Sequence, residues 1–173
     1  DLIWLADDAA LDADNDGSAD FTDLTEKMAA NYRLGADIIF ATNETAVDWN
    51  NDGTVDVNDA AGLLSIGINS KFMGHFDGQY HSIQNAFQNA SKVALFNQID
   101  GATIEKLRLL DFDFISDSTL GGGIAGEATG SGTVFHQLLV EGSLDFSSSS
   151  QTAVFAGGIV GLMKKTTMTE CVA

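Results

Sequence analysis

Apolar positions along this chain follow two different periods. Phe21, Leu24, Met28 and Tyr32 recur at intervals of three and four, and Val57, Ala61, Leu64 and Ile68 do the same. That spacing puts each set on one helical face, so a helix is predicted after each of two aspartate-rich stretches. Past residue 70 the period shortens to two. Leu107 to Ile115 and Val134 to Phe146 alternate apolar with polar side chains, which suits strands that bury one face.

A longer repeat is superimposed on those strands. Segments starting at Val93, Gly122 and Gly157 share a head of small and apolar residues, a polar turn and a closing Thr-apolar step. The starts lie 29 and 35 residues apart, a period that signals a solenoid. Glycines and polar turns mark where the chain must bend, and stacked β coils are the simplest architecture that accommodates the pattern.

Composition changes at the same place as the period. Residues 1–70 hold 15 acidic and two basic side chains, net −13, and residues 71–173 hold ten and six, net −4, which together make the total of −17. Thirteen of the 18 glycines fall in the second part. With no proline-rich or serine-rich linker at the junction, the shift predicts two domains, 1–70 and 71–173, docked closely on one another.

Much of the acidic excess sits in two twelve-residue ladders. The first runs Asp12-Ala-Asp-Asn-Asp-Gly-Ser-Ala-Asp-Phe-Thr-Asp23 and the second, 36 residues on, Asp48-Trp-Asn-Asn-Asp-Gly-Thr-Val-Asp-Val-Asn-Asp59. Calcium takes six to eight oxygen ligands, and an EF-hand-type loop offers them from positions 1, 3, 5, 7, 9 and 12 with glycine at 6. Asp12, Asp14, Asp16, Ser18, Asp20 and Asp23 fit those positions, as do Asp48, Asn50, Asp52, Thr54, Asp56 and Asp59, with Gly17 and Gly53 at the turns. Two calcium ions are therefore expected. Clustered carboxylates repel one another without a cation, so the loops should fold poorly in its absence.

A duplicated calcium loop, each followed by a helix and closed by Asp at position 12, resembles the type I dockerin module over roughly Leu11 to Ser70. That resemblance implies a small helical calcium module. It also implies a cohesin-like partner, met by the residues at loop positions 10 and 11, here Phe21, Thr22, Val57 and Asn58. In the second part, Gly122-Gly-Ile-Ala-Gly126 and Gly157-Gly-Ile-Val-Gly161 resemble the GLUG motif of bacterial surface proteins, and Phe76-Asp-Gly-Gln-Tyr-His-Ser-Ile83 resembles the segment that often precedes it. This second resemblance implies a right-handed parallel β-helix in an adhesin or surface-attached protein.

Other chemistry is sparse. Asp111 and Asp113 should project from one strand face, as in a solvated strand or, less simply, a polysaccharide-active site. His75, His81 and His136 have no metal-ligand spacing. Cys171 is the only cysteine and is expected to face the core as a small hydrophobe. The acidic balance offers no basic stripe to nucleic acid, and no run of about 18 apolar residues exists to insert in a membrane. The opening at Asp1 and the stop within a repeat read as a fragment of a longer secreted protein.

The combined expectation is an α+β multidomain chain, a helical dockerin-like calcium module followed by a right-handed parallel β-helix. It would serve as a non-enzymatic, calcium-stabilised structural or adhesive segment at the bacterial cell surface or outside the cell. Docking of a cohesin-like or other surface protein, binding of a polysaccharide, and self-association through the solenoid ends are the expected partnerships. The rival to all of these is a fragment of a polysaccharide-active or proteolytic β-helix enzyme.

Overall fold

The computed structural model describes residues 21–41, 47–48, 53–55, 59, 62–68, 70–117, 119–147 and 154–173, with the backbone alone for 21–24. One helix, α1 (Phe21–Ala29), precedes fifteen short strands. These are β1 (Asn31–Arg33), β2 (Ile38–Ile39), β3 (His75–Asp77), β4 (Ser82–Gln84), β5 (Phe87–Asn89), β6 (Phe96–Asp100), β7 (Thr103–Glu105), β8 (Arg108–Ser116), β9 (Leu120–Gly122), β10 (Ala125–Thr129), β11 (Thr133–His136), β12 (Leu139–Phe146), β13 (Phe155–Gly157), β14 (Val160–Met163) and β15 (Thr166–Thr169).

All ladders between these strands are parallel, and neighbours in a sheet come from successive passes of the chain. The first sheet has the order β1-β3-β7-β11-β15, the second β2-β4-β8-β12 with β5 also on β8, the third β6-β10-β14 and the fourth β9-β13. Each pass thus contributes one strand per wall and stacks as a coil. Tyr32, Phe76, Ile104, Phe135 and Met168 are register partners in the first sheet. Ile38, Ile83, Leu109 and Val140 align in the second, and Phe96, Ala125 and Val160 in the third. The middle members of these columns are buried, so the core is a set of apolar ladders running along the stack. The three sequence repeats occupy equivalent places in it, since Phe96, Ala125 and Val160 are each the fourth residue of their repeat.

The strand β8 shows how one irregular residue reconciles sequence with register. Leu109 faces the core before Asp111, whereas Phe112, Phe114 and Ser116 face it afterwards. Asp111 has φ +52° and is skipped in the β12 ladder, where Glu141 pairs Leu110 and Gly142 pairs Phe112. A bulge shifts the side-chain alternation by one. It explains the Leu-Leu and Phe-x-Phe pattern, and it places Asp111 outward at the bulge with Asp113 half-exposed on the outer face.

The fold class expected from the sequence is overturned. Among the described residues the chain is almost entirely parallel β-sheet with one nine-residue helix, in place of a helical module ahead of a β-helix. The first predicted helix forms but stops at Ala29, because Tyr32 leaves the helical face to stack above Phe76 in β1. Ile38 and Ile39, between the two predicted helices, form β2 and pair with Ile83 and Gln84. The described part of the second predicted helix is not α-helical. Gly62 and Gly67 have φ of +75° and +76°, which interrupts right-handed turns. The N–H groups of Leu63 and Ile66 instead donate to the carbonyls of Phe87 and Leu95 at 2.8 and 2.9 Å. Leu63 and Ile66 are consequently buried, while Leu64 and Ile68, on the presumed apolar face, are exposed. Unpaired strand edges competed for these backbone groups, and that long-range demand is invisible to local periodicity.

The described residues from α1 to Phe72 therefore close one end of the stack. Met28, Leu63, Ile66 and Phe72 are all buried over the first coil. Gln88 ties this segment down with its amide, donating to Ala94 O at 3.0 Å and Ser65 Oγ at 3.3 Å and accepting from Ala94 N at 2.8 Å. The end of α1 is capped by the solenoid itself, as Met73 and Gly74 both donate their N–H groups to Met28 O, at 2.8 and 3.0 Å. A side chain on residue 74 would collide with the carbonyl of Ala30. Gly74→Ala is accordingly expected to lose about 3 kcal/mol by overpacking and loss of these bonds. Urea unfolding checks it, with Gly35→Ala, at an open position, as the near-neutral control.

Candidate functional site

Two places hold candidate chemistry. The first is the second aspartate ladder, of which Asp48, Thr54 and Asp59 are described and Asn50, Asp52 and Asp56 lie outside the described residues. Gly53, at φ +90°, donates its N–H to Asp48 Oδ2 at 2.8 Å. That bond folds loop position 1 back on position 6, the closure an oxygen cage requires. Asp59, at position 12, is 3% exposed, and its carbonyl accepts from Gly62 N at 2.9 Å. Asp48, Thr54 and Asp59 are oxygen donors of the kind a hard divalent cation takes, and among the described residues no group of three or more acidic, histidine or cysteine side chains converges on one point. From the first ladder, Asp12, Asp14, Asp16, Ser18 and Asp20 lie outside the described residues, and Asp23 falls in α1. Phe21 and Thr22, expected to meet a partner, also fall in α1, whereas Val57 and Asn58 lie outside.

The second place is the corner where the chain turns from the first sheet into the second. Tyr80, Lys106, Gln137 and Glu170 follow β3, β7, β11 and β15, and all have positive φ, +63°, +51°, +55° and +54°. A left-handed residue after each strand, joined after β3 by Gln79 at φ +52°, redirects the backbone within a few atoms. Its side chain then projects at the same corner in each coil, about 4.8 Å from the next. Such conformations cost of order 1–3 kcal/mol for residues other than glycine. Sequence reading missed this column. The signal was present in the triplets Glu105-Lys106-Leu107, His136-Gln137-Leu138 and Thr169-Glu170-Cys171, each closing a repeat with two polar residues and one apolar.

Charged groups pair along the column. Lys106 Nζ lies 2.9 Å from Glu105 Oε1 and 3.9 Å from Asp77 Oδ2, and His75 Nε2 lies 3.2 Å from Glu105 Oε1. The bond from Lys106, reinforced by His75, holds the Glu105 carboxyl below its ordinary range, and the Glu105 carboxylate raises the Lys106 ammonium. A depressed carboxyl contributes stability above its unfolded value near 4.5 and loses it as pH falls through the folded one. A raised ammonium contributes below its unfolded value near 10.5 and loses it as pH rises past the folded one. The pair is expected to stabilise across the interval between, and Glu105→Gln should flatten the acid limb of a melting-temperature profile below about pH 4.5.

The other sequence candidates are dispersed. His81 bonds Asp37 at 3.2 Å and His136 bonds Thr169 at 2.9 Å, so the three histidines occupy separate surface contacts. The N–H of Ser82, at 2.8 Å, together with His81, holds the Asp37 carboxyl down, which fastens the turn before β2 to β4. Cys171 packs half-buried against the core and its thiol is pushed up by that burial, in accord with a packing role. Comparison with protein-family models, with curated proteins and with solved structures finds no match.

Proposed function

We propose that this chain is a calcium-stabilised structural and adhesive segment of a bacterial protein exposed at the cell surface or secreted. The observation that carries the reading is the pair of in-register oxygen ladders, one of which closes on itself through Asp48 and Gly53. The second ladder leads directly into Gly62 to Phe72, which hydrogen-bond to the single pass that runs from β3 to β6. An ion held there would neutralise the loop carboxylates and fix the segment that covers the first coil. Covering that coil protects an edge that otherwise invites non-specific strand pairing. A stack of coils with one covered end suits a spacer that presents surface side chains at fixed intervals, and extracellular calcium is abundant enough to keep loops of this type filled.

Calorimetric titration of calcium into the chelator-treated chain tests the proposal. About two ions should bind, and Asp48→Asn combined with Asp52→Asn should abolish one site while leaving the other. Absence of calcium binding at millimolar concentration would contradict the reading.

A further inference from the structure

The corner column does more than turn the chain. Tyr80 Oη donates to Gln137 Oε1 at 2.9 Å, and Gln137 Nε2 donates to Glu170 Oε2 at 2.8 Å. This relay crosses from the coil of β3 to that of β15, so three side chains are held in one orientation before anything binds. The Tyr80 residue is 54% exposed. Beside it lie Arg108, exposed and without an ion pair among the described residues, and the exposed aliphatic side chains of Leu139 and Val172, the latter 61% accessible. Together they line a broad, shallow hollow of about 290 Å³.

The chemistry of the hollow selects among ligands. From Tyr80 to Gln137 its backbone N–H groups are already used between coils, Tyr80 N to Lys106 O at 2.7 Å, Lys106 N to His136 O at 2.9 Å and Gln137 N to Thr169 O at 3.1 Å. Along this part of the corner a peptide strand would find no ladder to join, and recognition falls to side chains. A polyphosphate would meet a chain of net charge −17 and a single unpaired cation here. What remains is a ring with an apolar face for Tyr80, Leu139 and Val172, and a polar rim for Gln137, Glu170 and Arg108. Small-molecule sites combine apolar lining with a few fixed polar groups in this way, and a planar guanidinium can take a carboxylate through two parallel hydrogen bonds.

We propose that this hollow binds a pyranose sugar bearing a carboxylate, a hexuronic acid unit of a surface glycan. The ring lies over Tyr80 and the aliphatic pair, the carboxylate meets Arg108, and hydroxyls reach Gln137 and Glu170. Arg108 and Glu170 belong to coils two steps apart, about 10 Å along the stack, so the negative end of the sugar is directed away from Glu170. The site stands independently of the calcium loops.

Saturation-transfer NMR on the full chain in calcium, with glucuronate and galacturonate as probes and methyl glucoside and methyl galactoside as neutral counterparts, tests this. At least one uronate should bind in the millimolar range, expected for a shallow site, and at least fivefold more tightly than its neutral counterpart. Tyr80→Ala should weaken binding tenfold or more. Arg108→Ala should abolish the preference for the acid while leaving the melting temperature unchanged, since both side chains are exposed. No binding of any probe, binding indifferent to both substitutions, or equal affinity for acid and neutral sugars would each overturn the proposal.

Discussion

Phe96→Ala is expected to destabilise the chain by about 3–5 kcal/mol. Phe96 is wholly buried at the head of the third sheet, where its ring lies 5.0 Å from Phe72 and 5.4 Å, edge-on, from Phe76. Phe72 belongs to the segment covering the first coil and Phe76 to the first full coil, so one side chain joins the cover to the stack. Truncation forfeits the transfer energy of the ring and opens a cavity. Main-chain bonds hold both sides in place, Phe72 N to Gln98 O at 2.9 Å and Asp100 N to Phe72 O at 3.0 Å, so that cavity has little means of collapsing. Aromatic pairs of this geometry add about 0.5–1.5 kcal/mol beyond area burial. Urea unfolding of Phe96→Ala and of Phe96→Leu measures the effect. The leucine variant should recover roughly half the loss, because it refills volume without restoring the ring contacts.

Legibility of this structure in its sequence depended on whether a local pattern had to compete with a distant one. The repeats starting at Val93, Gly122 and Gly157 were readable because every coil solves the same packing problem with the same residue classes. A side chain on Gly122 would collide with the carbonyl of Ala125 and one on Gly157 with that of Val160, three residues on in each case, which explains why glycine recurs there, and Gly123 is further confined by Gly158 O of the next coil. The second predicted helix, on Val57, Ala61, Leu64 and Ile68, does not form in its described part. Its apolar residues satisfy a helical period, yet the coil from β4 to β6 offers unpaired backbone groups, and hydrogen bonds from Leu63, Ile66 and Phe72 take that offer, as Phe40 does further upstream. Two glycines with positive φ made the alternative conformation accessible.

The candidate sites divide in the same way. The aspartate ladders raise the expectation of calcium from sequence alone because metal coordination imposes its own spacing on contiguous residues. Tyr80, Arg108, Gln137 and Glu170 were not, because they are brought together only by coil stacking, over a sequence span of 90 residues. Asp111 was a candidate for the outer face of a regular strand, and its left-handed φ gives it a different task, shifting the register of β8.

The largest effect expected of this chain is its dependence on calcium. A ligand bound only by the folded state stabilises it by about 2.7 kcal/mol at a hundredfold excess over its dissociation constant. Two such sites give roughly 5 kcal/mol, which for a chain of this length corresponds to a rise of roughly 10–20 °C in melting temperature. The stabilisation should extend beyond the loops. Asp59 is buried beside the segment that seats Leu63 and Ile66 on the first coil, so chelation should loosen that cover and expose the neighbouring backbone. Thermal unfolding of the chain in millimolar calcium and in excess chelator, with hydrogen exchange followed at Leu63, Ile66 and Phe72, is the most direct test. The account predicts a calcium-dependent rise of that size and faster exchange at those three amides in chelator. Identical melting curves and exchange in both conditions would contradict it, leaving the two aspartate ladders as solvated turns and the solenoid closed without a metal.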